Sequence, residues 1–179
     1  RELSTQSARL YELIAILADQ DGVRARLAGS RSAEELVALA RNLYLDASSA
    51  SDAILLIVDQ RSQQLNGLAA KGQSRLISEL TVPLDGSASL AAQALLKGEA
   101  LDSVQAQRPF SVSDQLLLRL CLSREIFCQP FQIEGRLLGV AILGFDSAQE
   151  LEDLHSLRLK MIAQVISESF ARLNFNGTQ

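Results

Sequence analysis

Two apolar stretches, Ile126 to Ile133 and Leu137 to Phe145, flank the tripeptide Glu134-Gly135-Arg136, and no other feature constrains the fold as much. The first stretch alternates as a half-buried strand does, and the second is strand-sized. Strands joined by so short a turn must pair antiparallel, because a parallel pair needs a crossover of a dozen residues or more. The run Ala53-Ile54-Leu55-Leu56-Ile57-Val58, ending at Asp59, adds a buried central strand rich in β-branched residues. After the polar turn Asp-Gln-Arg-Ser-Gln-Gln, Leu65 to Ala70 reads as its hairpin partner. A third strand is expected from Ile77 to Leu84, broken by Asp85-Gly86-Ser87, and a short one from Ala100 to Val104.

Helical spacing occupies the ends of the chain and the gaps. Glu2 to Asp19 carries Leu3, Leu10, Leu13, Ile14 and Leu17 in one near-heptad stripe, with Asp21-Gly22 as the expected stop. Ser32 and Glu35 form a capping-box pattern before a helix from Ala33 to about Tyr44. Ser87 to Leu96 is helical up to Gly98, a natural C-cap, and Leu116 to Leu122 makes a short helix after a loop from Gln105 to Ser113. A last helix is expected from about Leu151 to Leu173. Hairpins with helices mainly at the two ends give an α+β fold, one antiparallel sheet with helices packed on it, and not a doubly wound parallel sheet.

Composition bounds the function. A chain of 179 residues, 47% apolar and 21% charged, can bury a core without a metal or disulfide staple. The net charge is −4 and the densest basic cluster, Arg24, Arg26 and Arg31, is short and interleaved, so no nucleic-acid partner is expected. No apolar run reaches the ~18–20 residues of a membrane span. Two cysteines, Cys121 and Cys128, give no disulfide framework and suit a reducing cytoplasm. With Met161 the only Met and Arg1 the first residue, the chain is expected to be part of a larger protein whose fused output domain lies elsewhere.

Catalytic patterns are sparse. His155 is the only histidine, and no G-x-S-x-G elbow, P-loop or G-x-G-x-x-G occurs. One His and two Cys do not readily make a metal site, and no cofactor can be named. Cys121 and Cys128 are seven residues apart, outside any C-x-x-C arrangement. Cys128 should face away from Phe127 and Phe131 on its strand. Glu150, Glu152 and Asp153 gather at the expected start of the last helix, where carboxylates complement the dipole. Asp102, Ser103 and Arg124, near strand edges where a pocket between sheet and short helices would open, are the candidate ligand-binding residues.

Three stretches resemble the GAF domain, a small-molecule sensing module. They are Ile54 to Asp59 with Leu68-Ala69-Ala70-Lys71-Gly72; Val82-Pro83-Leu84-Asp85-Gly86-Ser87 leading to Leu95-Leu96-Lys97-Gly98-Glu99; and Gln129 to Val140 around the Gly135 turn. The resemblance spans roughly Ser32 to Leu173, most similar to GAF domains that follow an HDOD domain in bacterial signalling proteins. It implies a six-stranded antiparallel sheet, a pocket under the short helices and dimerisation through terminal helices. Residues 1–22 would then be a connector helix and 32–173 the sensory domain. The N-K-x-F-D-E signature of the cyclic-nucleotide binders is missing, Cys121 precedes Leu122 where bilin binders carry His, and two cysteines are fewer than sulfoxide reductases need. The expected protein is a non-catalytic sensory module, homodimeric through a wide stripe of Leu151, Leu154, Met161, Val165 and Leu173, broadened by Ile162, Ile166 and Phe170. The alternatives are a ligand-free dimerisation module and a cysteine-based redox sensor or enzyme.

Overall fold

The computed structural model describes residues 2–85, 89–106, 110–154 and 156–176. The chain runs α1 (Glu2–Ala28), α2 (Ala33–Asp46), β1 (Asp52–Asp59), β2 (Gln64–Leu68), α3 (Leu76–Glu79), β3 (Thr81–Pro83), α4 (Leu90–Lys97) and β4 (Leu101–Asp102). It continues with α5 (Val112–Leu120), β5 (Glu125–Ile133), β6 (Arg136–Phe145), α6 (Ala148–Glu152) and α7 (Ser156–Asn176). The strands form one antiparallel sheet in the order β3-β2-β1-β6-β5-β4. This is the expected α+β architecture, with the β5–β6 hairpin and β1 at its centre.

The period-two alternation of the central strands divides the interior into two cores. Ala53, Leu55, Phe127, Phe131, Ala141, Leu143 and Phe145 point to one face, where α1, α2 and α7 pack. Ile54, Leu56, Ile126, Cys128, Val140 and Ile142 point to the other and bury against α3, α4 and α5. Cys128 thus faces away from Phe127 and Phe131, as alternation requires.

The cap expected from sequence holds α4, and the capping box expected at α2 is half formed, with Glu35 reaching the Arg31 amide in place of that of Ser32. Ser32 Oγ accepts from the Glu35 amide at 3.2 Å, and Glu35 Oε2 accepts from the Arg31 amide at 2.9 Å. Gly98 closes α4 in the left-handed region at φ 68°. A polar knot joins α2 to the sheet: Arg41 Nε donates to Asp52 Oδ1 at 2.7 Å, and Gln73 Nε2 reaches Asp52 and the Ala53 carbonyl.

Several boundaries move. α1 does not stop at Asp21-Gly22 but continues to Ala28, because Val23 and Leu27 bury one turn apart in the first core and outweigh the glycine's cost of about 1 kcal/mol. Arg24 is also held there, donating to Glu168 of α7 at 3.0 Å, so the basic cluster is partly an intramolecular ion pair. The stretch read as a strand from Ile77 to Leu84 opens as helix α3, and only Thr81–Pro83 is extended. Ser74 Oγ accepts from the Leu76 amide at 3.2 Å, and Ile77 drops into the second core. α3 lies so close to β2 that a Cβ on Gly67 would overlap the Ile77 carbonyl.

The fourth strand is only Leu101–Asp102, and the second hairpin partner ends at Leu68. The helix expected from Leu116 starts earlier, at Val112, where Ser111 and Asp114 form a reciprocal capping box. Of the helix expected from Ser87, the part from Leu90 is described and Gly86 to Ala88 lie outside the described residues.

The single last helix is two helices. Ser147 caps α6 by accepting from the Glu150 amide at 3.4 Å, and Asp153 closes it. Glu150 therefore sits in a first turn, as expected, while Glu152 and Asp153 lie at the opposite end of α6, where they do not complement its dipole. The width of the α7 stripe is also consumed inside one chain, since Met161, Ile162, Val165, Ile166 and Phe170 are all buried in the first core, with Phe170 stacked on Phe131 at 5.5 Å. That stripe leaves no broad apolar face for a second protomer.

Candidate functional site

The three residues read as pocket-lining sit around β4 but do not converge. Asp102 accepts the Gln105 amide at 2.7 Å through Oδ1, which shapes the turn after the strand. Ser103 is buried, donating its hydroxyl to Glu125 Oε2 and accepting the Ile126 amide at 3.0 Å. Arg124 is exposed, and its backbone amide donates to the Phe145 carbonyl at 3.0 Å. Of the three, Asp102 is the one placed, among the described residues, on a cavity wall with other polar groups.

That cavity, of about 630 Å³, opens between the β4–β5 edge and the junction of α6 with α7. Asp102, Phe127, Gln129, Leu151, Leu154 and Lys160 are among its walls. Alternation on β5 places Gln129 on the face of Phe127 and Phe131, and the apolar neighbours of that face keep it buried. Lys160 comes from the first turns of α7. A smaller groove of about 300 Å³ continues along β5 and α7 and shares Gln129, Pro130 and Lys160. Sequence reasoning passed over Gln129 and Lys160. The legible signal was a glutamine flanked on its own strand face by two phenylalanines.

The second core holds the chemistry expected of the cysteines, in a form that suppresses it. Burial pushes the Cys121 thiol up to about 12, with the Asp52 carboxylate adding to the effect. Burial raises Cys128 well above the usual thiol range, helped by Asp114, Cys121 and Asp102. Thiolates are the reactive form, so neither cysteine is primed as a nucleophile.

Asp114 is a fully buried carboxylate in this region. Its Oδ1 accepts the Leu90 amide at the start of α4, and its Oδ2 accepts the Ser111 amide at the start of α5. One carboxylate thereby ties two helix N-termini together. His155 lies outside the described residues. Among the described residues no group of three or more His, Cys, Asp or Glu could hold a metal ion, and no helix is long and apolar enough to cross a membrane.

No protein-family profile matches the chain, and no curated protein matches it in sequence. Its architecture, however, is shared. The GAF domain of a phosphoenolpyruvate-protein phosphotransferase from Coxiella burnetii superposes with a TM-score of 0.73 at 14% identity, covering 92% of this chain and 97% of that one. The chain has the fold of a GAF domain. The GAF domain of the potassium sensor histidine kinase KdpD from Escherichia coli is similar at a TM-score of 0.56 and 14% identity, covering 89% of this chain and 96% of that one. Free methionine-R-sulfoxide reductase from Neisseria meningitidis is similar at 0.66 and 17%, covering 88% and 89%. The GAF fold therefore carries regulatory domains and also an enzyme.

Proposed function

We propose that this GAF-fold chain is a non-catalytic sensory or regulatory module of a larger bacterial signalling protein, which binds a small molecule and passes its state to a fused output domain through the terminal helices. The observation that carries this reading is the arrangement of α1. Residues 2–15 are exposed on every side, and the near-heptad residues Leu3, Leu10 and Leu17 are 80%, 58% and 63% exposed. A helix with an uncovered apolar stripe is built to pair, and two copies aligned through it form a homodimer whose arms can relay a change. The wide α7 stripe, absorbed by its own subunit, supports docking of α1 onto the domain instead. Arg158 of α7 donates to Asp19 at 3.3 Å, and Arg24 pairs with Glu168, so a shift of α7 is felt by α1.

The regulatory neighbours favour this reading over the enzymatic one, and the buried, high-pKa thiols disfavour a cysteine-based redox mechanism. A ligand-free dimerisation module is favoured by one observation: the second core is tightly closed, with Ile54, Leu56, Leu95, Val140 and Ile142 fully buried. Native mass spectrometry of the purified chain separates the two. A dimer carrying extra mass that is lost on denaturation supports the sensory module, and a bare dimer supports the dimerisation module. A monomer at micromolar concentration refutes the helix-pairing mechanism common to both.

A further inference from the structure

The cavity at the β4 edge holds polar groups that the fold itself does not use. Gln129 is 5% exposed, yet its carboxamide makes no hydrogen bond to any described residue. Its carboxamide atoms are not sealed from solvent, so water reaches them through the cavity, and a ligand able to donate and accept can take that water's place. Lys160 and Glu99 line the same cavity, and among the described residues neither side chain has an ion-pair or hydrogen-bond partner. Asp102 adds a second carboxylate with only one oxygen engaged, on the Gln105 amide. Phe127 and Leu154 supply apolar wall between these charges.

We propose that this cavity binds a small zwitterion, a carboxylate and an ammonium group on one apolar frame. Lys160 takes the carboxylate, Glu99 and Asp102 take the ammonium, and the Gln129 carboxamide bridges to whichever polar atom faces the sheet. The alternatives fit less well. A simple anion would face two carboxylates, and a simple cation would face Lys160, each with the repulsion that opposite-charge pairing avoids. A purely apolar molecule would leave Gln129 unpaired. The volume of about 630 Å³ lies within the usual range for small-molecule sites.

The site lies on the α7 face of the sheet, against the helix that holds α1. The inference rests on the sensory reading only for its consequence, since occupancy would then act directly on α7. The binding claim stands or falls separately.

The test titrates the intact chain with two zwitterions of different charge separation, L-leucine and 6-aminohexanoate, by calorimetry and thermal shift. The single-charge counterparts 4-methylpentanoate, 3-methylbutylamine, hexanoate and hexylamine serve as controls. Saturable binding of at least one zwitterion is expected, at least about tenfold tighter than either of its single-charge counterparts, from the strength of one charge-assisted contact. Lys160→Met and Glu99→Gln, both at exposed positions, should each weaken it about tenfold or more while leaving the unliganded melting temperature unchanged. Dissociation constants above about 10 mM for both zwitterions overturn the proposal, as does binding indifferent to both substitutions. If native mass spectrometry then shows a different retained molecule, the zwitterion site fails and the sensory reading survives. If zwitterions bind here but leave the α1 pairing untouched, the site survives and transmission through the helices fails.

Discussion

Replacing Tyr44 by Phe removes one oxygen from the centre of the first core. The Tyr44 ring is fully buried on α2, and among the described residues its hydroxyl has no hydrogen-bond partner. An unpaired buried hydroxyl costs about 1–3 kcal/mol relative to water. The void left by its removal, roughly 12 Å³ at ~24 cal/mol per Å³, gives back about 0.3 kcal/mol. Tyr44→Phe should therefore stabilise the chain by about 0.7–2.7 kcal/mol near neutral pH, against the usual direction of core substitutions. In a domain of this size that is a rise in melting temperature of about 2–4 °C per kcal/mol.

Burial also raises the Tyr44 pKa above its ordinary value, which supplies a second signature. Below about pH 10 the phenol is protonated in both states and contributes no pH dependence. Above it the unfolded chain loses the proton while the native chain keeps it, so the unfolded state binds fewer protons and native stability falls as pH rises. The loss approaches ~1.4 kcal/mol per pH unit and is absent from the Phe variant. Cys121 and Cys128 titrate in the same direction, but they are common to both proteins and cancel in the difference. Urea denaturation of both proteins at pH 7 and at about pH 10.5 should show the variant's advantage growing by about 0.8 kcal/mol. A variant less stable than the parent at pH 7, with no growth of the gap in alkali, would refute the reasoning and show that the hydroxyl is bonded in solution.

Three further outcomes follow from the second core. Asp114→Ala orphans the Leu90 and Ser111 amides and should cost about 2–4 kcal/mol in chemical denaturation, whereas a loss under 0.5 kcal/mol would mean that water replaces the carboxylate. Gly67→Ala drives a methyl into the Ile77 carbonyl and should destabilise by about 1–3 kcal/mol or more, while a nearby exposed Ser78→Ala should be close to neutral. A thiol reagent at pH 8 should label neither Cys121 nor Cys128 until the chain is unfolded, and prompt labelling of the native protein would reopen the redox reading.

Strand identity was legible where local pattern and burial agree. The run from Ala53 to Val58 and the hairpin about Glu134-Gly135 are apolar on both faces, and a strand covered by helices on both sides needs that. Ile77 to Leu84 failed because alternation over eight residues is compatible with a helical turn followed by three extended residues, and only the depth of Ile77 in the second core decides. Gly22 failed for a related reason. Its local cost is fixed, but the gain from Val23 and Leu27 depends on α7, 140 residues or so away in sequence. The site was the least legible part. Asp102 reached the cavity, but Ser103 fell on the opposite side of the alternation, and Arg124 has its backbone in the sheet edge and its side chain in solvent. Gln129 and Lys160 meet only because α7 crosses β5, a tertiary event that no local spacing encodes.

The exposure of residues 2–15 has a thermodynamic corollary. A segment of that length gains too little from its own hydrogen bonds to stay wound in water, since isolated helices shorter than ~12–15 residues are marginal. Under the proposed pairing its winding is bought with association, which makes the order of the arm a function of how many copies are present, whereas Val23 onward, buried in the first core, is expected to fold with the sheet. Ellipticity at the helical wavelengths should fall on dilution by an amount matching the arm alone, with the thermal transition of the body unchanged. The chain would thereby carry within one helix a part that reports on its own fold and a part that reports on company.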